Sequence, residues 1–165
     1  MSAGILTVAL LCYPVTALTI RLAGQRSLLW ACPASTGGMF SLTWIHSVSK
    51  RPVSETYVIR ADGRLCLMEL VFDHEGPGMP SYPEGGTTWR IEGAKVVVTG
   101  YSSCLDRLDL GVSPFGHRLQ TGAWDMNLVS GIGPDRLVSM AIERIPLILL
   151  LWAEVRQWRN SMSRS

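Results

Sequence analysis

Three histidines, four cysteines and thirteen carboxylates are the side chains of this 165-residue chain with the widest chemical range. His46 poses the sharpest question among them. It continues a period-two series, Phe40, Leu42 and Trp44, on the apolar face of a strand spelled "MFSLTWIHS". Folding "MFSLTWIHSVSKRPVSETYVIRA" as a hairpin about Lys50–Arg51 makes opposed residues sum to 101. That register sets His46 opposite Glu55, Trp44 opposite Tyr57, Leu42 opposite Ile59 and Phe40 opposite Ala61. A slip of one residue would turn Tyr57 and Ile59 to the other face, so burial pins the choice. Directly opposed side chains reach one another, and Glu55 accepting from the imidazole would satisfy a polar group at the edge of a core. The pair reads first as a clasp closing the end of the sheet. Its second reading is one end of a small-ligand site floored by Trp44 and Tyr57.

Sharper chemistry finds little support. Ser47 neighbours His46, but adjacent strand side chains point to opposite faces, and no G-x-S-x-G elbow is present. No catalytic residue and no cofactor is assigned, and the chain is read as a non-enzyme. A metal would need a third ligand beside His46 and Glu55. His117, in "SPFGHRLQTG", would complete a His/His/Glu set, an alternative that no spacing enforces. "DHE" at Asp73 to Glu75 reads as solvated loop charge. Cys12, Cys32, Cys66 and Cys104 contain no C-x-x-C spacing and read as small buried residues, with at most one disulfide among the three in the body.

The elements that must position these residues are short strands. Period two dominates between the chain ends, in "TALTIRL", "SLLWA", "SETYVIR", "RLCLMELVF", "TWRIE", "KVVVTG", "RLDLGV", "HRLQ", "DMNLV" and "RLVSMAIER". Turn signals separate them, among them an Asp-Gly hairpin signal in "RADGR". This pattern predicts a single antiparallel β-sandwich or small barrel. One loop, "EGPGMPSYPEGG" at Glu75 to Gly86, is dense in Gly and Pro and is expected to hold a defined irregular shape. Its use is crossover between sheets or binding.

A net charge of +2, with no basic stripe, gives no reason to expect nucleic acid. Apolar residues concentrate at the ends. Met1 to Ile20 carries no charged side chain, which suits a membrane anchor, a transmembrane helix or a secretory signal with "VTA" as its small-residue tract. Starting the first strand at "ALTIRL" would shorten that segment. At the other end, Ile148, Leu151, Trp152, Val155 and Trp158 recur at helical spacing, with Arg156, Arg159 and Arg164 nearby. That is an amphipathic helix suited to a membrane surface, a partner's groove or the chain's own domain. The expected organisation is therefore 1–17 as signal or anchor, 18–144 as β-domain and 145–165 as amphipathic helix and tail.

"FSLTWIHSVSKRPVSETYVI", "GRLCLMELVFDHEGPGMP" and "GHRLQTG" together resemble a bacterial family of unknown function. Its members are small proteins encoded beside tripartite ATP-independent periplasmic (TRAP) transporters of the TAXI type. The resemblance covers roughly Leu18 to Pro146 and maps the family's signature onto His46, Ser47, Pro52, Glu55, Gly76, Gly78, Pro80 and His117. It implies a non-enzymatic accessory protein at the cell membrane, with its domain on the periplasmic or extracytoplasmic side. The implied partners are the transporter's membrane subunit, its TAXI solute receptor and the membrane surface. The residues expected to meet partner or ligand are His46, Ser47, Glu55, Tyr57, Trp44, Gly76, Gly78 and His117. A metal- or small-ligand-binding module using His46, Glu55 and His117 is the alternative.

Overall fold

A computed structural model describes residues 10–122 and 124–162, with side chains as far as residue 155. It is mainly β, as the alternating pattern requires. Two antiparallel sheets pack face to face. The smaller has the order β2-β1-β12-β9, formed by β1 (Pro14–Leu22), β2 (Leu28–Pro33), β9 (Leu108–Gly111) and β12 (Leu137–Pro146). The larger has the order β11-β10-β3-β4-β5-β7-β6. Its strands are β3 (Met39–Ile45), β4 (Pro52–Ile59), β5 (Leu65–Phe72), β6 (Thr88–Glu92), β7 (Lys95–Thr99), β10 (His117–Thr121) and β11 (Trp124–Asn127). A two-residue strand, β8 (Cys104–Leu105), pairs with β5. Helix α1 (Leu128–Gly131) is one turn capped by the Asn127 side chain, and α2 (Leu147–Met162) closes the described chain.

The main core lies between the sheets. Leu18 and Ile20 of β1, Val138 and Met140 of β12, and Trp30 of β2 meet Phe40 and Leu42 of β3, Tyr57 and Ile59 of β4, and Leu119 of β10. Alternation places these residues inward, with an extra residue at Leu29 of β2 and another in β5. Tyr57 pairs with Leu67 while Thr56 pairs with Glu69, which leaves Met68 as the extra residue of a bulge. That insertion shifts the phase of β5, so Leu65 and Leu67 before it and Leu70 and Phe72 after it share the inner face.

The outer face of the small sheet is covered by α2. Ala17, Ala31 and Ile145 pack there against Leu150 and Ala153 of the helix. This two-sided burial explains why "ALTI" carries no charge: β1 is a central strand with apolar neighbours on both faces. The sheet takes in Pro14 to Ala17, which pair with Glu143 to Pro146. The last seven residues of the uncharged run, Pro14 to Ile20, therefore belong to a strand. Among the described residues no helix is long and apolar enough to cross a membrane. Residues 1–9 of the expected anchor, and the side chains of Arg156, Trp158, Arg159 and Arg164, lie outside the described part.

The four-stranded sheet covers only part of its larger partner. Beyond it Val53, Leu70, Phe72 and Val98 form a second cluster, and Met79 and Tyr101 pack over it from the loops. The Gly/Pro-rich loop thus serves as a lid on the half of the large sheet that lacks a facing sheet.

The cysteine expectation is corrected by the pairing of β8 with β5, which brings Cys66 opposite Cys104 and joins them in a disulfide. Cys32 stays buried and free, and Cys12 is exposed.

Candidate functional site

The predicted hairpin forms, but in another register. Opposed residues of β3 and β4 sum to 97, as in Phe40 with Tyr57, Leu42 with Glu55 and Trp44 with Val53. The slip from 101 is four residues, an even number, so every side chain keeps its expected face while changing its partner. Burial fixes parity and cannot choose between two registers of equal parity. The turn decides instead. Lys50 adopts a left-handed φ of 56°. Its N–H donates to the His46 carbonyl (2.9 Å), and the His46 N–H donates to the Arg51 carbonyl (2.9 Å). Pro52 then opens β4, a position where its missing N–H costs little.

The expected His46–Glu55 contact is therefore absent, since Glu55 lies about 13 Å further along the strand pair at roughly 3.3 Å per residue. His46 is spent on the backbone. Its Nδ1 accepts from the N–H groups of Val48 (3.3 Å) and Ser49 (3.2 Å), which leaves Nε2 to donate to the Pro77 carbonyl (3.1 Å). Gly76 lies flat on the ring, where a Cβ would sit 3.1 Å from Cε1. Gly78, at φ 84°, completes a turn in which the Met79 N–H donates to the Gly76 carbonyl (2.9 Å). With Pro77 and Gly78 at its centre this is a type II turn, which needs a glycine at that place. His46, Gly76 and Gly78 thus form one latch that ties the lid loop to the end of the β3–β4 hairpin. Ser47 is exposed in the hairpin turn.

The other four predicted residues converge elsewhere. Trp44, Glu55, Tyr57 and His117 line a cavity of about 310 Å³ between the sheets, closed on its far side by β9 and Ser113. The register dictates this gathering. β10 and β4 flank β3, with His117 opposite Trp44 and Leu42 opposite Glu55, all on the inner face. His117 and Glu55 sit two strands and two residues apart, roughly 12 Å between main chains and too far to bond each other. Among the described residues no three His, Cys, Asp or Glu side chains stand close enough to hold a metal ion, so the His46, Glu55 and His117 set is not assembled.

Electrostatically the cavity is poised by burial. Burial raises the Glu55 carboxyl above its usual range, and the Tyr57 hydroxyl, donating to Oε2 at 2.9 Å, partly offsets this. Tyr57 is pushed up in turn, by burial and then by the Glu55 charge. His117 is held below its ordinary value by burial, against a hydrogen bond to the Gly111 main chain. Its Nδ1 is buried with no hydrogen-bond partner. The rings of Phe40 and Tyr57 stack at 5.2 Å and back the cavity from the core.

Sequence reasoning missed the opposite wall. Leu108 and Leu110 come from β9 of the other sheet, and only the sheet order brings them over Glu55 and Trp44, while Asp109 between them turns its side chain to the outer face beside Ser139. "RLDLGV" carried a strand signal but nothing that named a facing strand. Asp109 is held low by the Ser139 hydroxyl and by Arg107, whose Nε lies 2.9 Å from Oδ1.

Searches of curated proteins and of solved structures give no match to this chain. A family model matches residues 40–128, which span β3 through the start of α1 and contain the latch, the lid loop and every lining residue of the cavity. That match takes in more than half of the sequence, and on it the chain belongs to the family described as Domain of unknown function (DUF1850).

Proposed function

We propose that this protein is a non-enzymatic, membrane-associated accessory of a TAXI-type TRAP solute transport system, with its sandwich on the periplasmic or extracytoplasmic side. The observation that carries this reading is the outer face of α2. Leu150 and Ala153 are buried against the small sheet, whereas Ile148, Leu151, Trp152 and Val155 are exposed at i, i+3, i+4 and i+7. A helix that already buries one apolar face gains nothing inside its own domain from a second, whereas a lipid surface or an apolar partner groove accounts for it. The Leu147 N–H donates to the Tyr13 carbonyl (2.9 Å), so the uncharged N-terminal segment joins the fold where this helix begins. Tyr13 and Leu10 are themselves exposed there. The Cys66–Cys104 disulfide supports an oxidising compartment. The family resemblance supplies the transporter.

The test is co-purification of the full chain with the transporter's membrane subunit. A Leu151→Glu, Val155→Glu double variant keeps the buried helix face and is expected to melt like the parent while losing the membrane subunit. Undiminished co-purification of that variant overturns α2 as the dock.

A second reading, a small-ligand-binding module, is favoured by the cavity that gathers Trp44, Glu55, Tyr57 and His117. The two readings are compatible, since the cavity and α2 lie on opposite sides of the small sheet. Equilibrium binding of small probes to the folded protein tests it.

A further inference from the structure

We infer that the cavity between β9 and the β10–β3–β4 face takes a small organic cation bearing N–H donors, of the alkylammonium class. The inference rests on the cavity being a binding site and names what it binds. One carboxylate, that of Glu55, faces the space, and no lysine or arginine lines it; the Asp109 carboxylate, bonded to Ser139 and Arg107, points to the outer face of the small sheet. A carboxylate ligand would enter against the Glu55 charge with no cation to receive it, and the low polarity of the surroundings strengthens that repulsion.

The Glu55 carboxylate and His117 Nδ1 are the side-chain acceptors to be served on these walls. The Tyr57 hydroxyl hydrogen is already given to Glu55. The His117 ring holds a hydrogen bond to the Gly111 main chain, which favours a ring N–H on that side. Its unpartnered Nδ1 is then a lone pair, 93% of the residue being withdrawn from solvent by its 7% exposure. A buried acceptor without a partner is costly, and an incoming N–H relieves that cost. The electron-rich rings of Trp44 and Tyr57 border the space, and Leu42 and Leu108 offer apolar contact for a short alkyl chain. A volume of about 310 Å³ holds a small molecule only.

Affinity should depend on pH through Glu55. The titratable groups facing it are Tyr57 on its own strand, Tyr101 after β7 and, across the cavity, His117 on β10, whereas the Asp109–Arg107 pair of β9 lies on the outer face of its sheet. As pH rises, Glu55 gains its charge and His117 loses any proton, and both changes favour a cation.

The test is titration calorimetry of the intact protein with three probes of one shape, butylammonium, 1-butanol and butyrate. Butylammonium is expected to bind at least about tenfold more tightly than either of the others, the scale of a charge-assisted hydrogen bond. Its affinity should rise between acid and neutral pH while that of butanol stays level. Glu55→Gln, which keeps an acceptor for Tyr57, should remove most of the preference. Butyrate or butanol binding as well as butylammonium overturns the ligand class and leaves the cavity as a binding site. No binding by any probe to protein with an intact melting transition overturns both. Butylammonium binding that ignores pH and the Glu55→Gln change lies elsewhere on the molecule and also overturns the inference. Should Glu55→Gln fail to fold, the pH dependence of the parent protein decides.

Discussion

Glu55 and His117 are both driven toward their neutral forms by burial, and the two shifts act on stability with opposite signs. His117 binds protons less readily folded than unfolded. Its contribution is present above the unfolded imidazole value of about 6.5 and is lost as pH falls through the lowered folded value. Glu55 binds its proton more readily folded. Its contribution is complete below the unfolded carboxyl value and is lost as pH rises through the raised one. Each titration can tilt stability by at most about 1.4 kcal/mol per pH unit. Urea unfolding across pH is therefore expected to separate them. Glu55→Gln should be more stable than the parent at neutral pH, with the gap closing in acid. His117→Asn should flatten the fall in stability that the parent shows below about pH 6.5.

Among the elements, the lid loop depends most on a single side chain. Two turns meet at His46, whose Nδ1 holds the hairpin N–H groups and whose Nε2 holds the Pro77 carbonyl. His46→Ala should cost about 1–3 kcal/mol, because three hydrogen bonds made by a buried ring are lost together. Hydrogen exchange can separate the two turns. In His46→Ala the amides of Val48, Ser49 and Met79 should all lose protection. In His46→Asn the short amide can still accept from Val48 and Ser49, so only Met79 should exchange faster. Uniform loss of protection in both variants would mean that the loop is not latched through this ring. Most elements were legible from alternation alone, since each named strand segment contains or overlaps an observed strand. "DMNLV" ends early because Asn127 caps α1, its side chain accepting from the Ser130 N–H. β8 is too short to show a period. The bulge at Met68 was hidden inside a continuous apolar run, where no alternation is left to break. The partner of His46 was illegible for a different reason. Two registers of equal parity bury the same residues, and the left-handed Lys50 that selects one carries no glycine to announce it.

At the scale of the whole molecule, the family model spans the site-bearing part of the chain and stops before β12 and α2. β12 pairs with β1 and β9 and so completes the sandwich, and α2 adds the exposed apolar face. A single disulfide staples this assembly across a sequence separation of 38. Cys66→Ser is expected to cost about 2–4 kcal/mol, mostly by releasing the unfolded chain. The same bond reports on compartment. In intact cells treated with a thiol-alkylating reagent, Cys66 and Cys104 should resist labelling until a reductant is added. Labelling of both without reduction would count against an extracytoplasmic domain. The remaining body cysteine completes the picture. Cys32 is buried between the sheets, and burial, with the Glu154 charge adding to it, pushes its thiol up to about 12. Exchange needs a thiolate with access to sulfur, and this one has neither. Closing the sandwich therefore proofreads the oxidation at this position: once Cys32 is interred, no pairing through it can be reached, and its exclusion becomes as permanent as the packing that guards it.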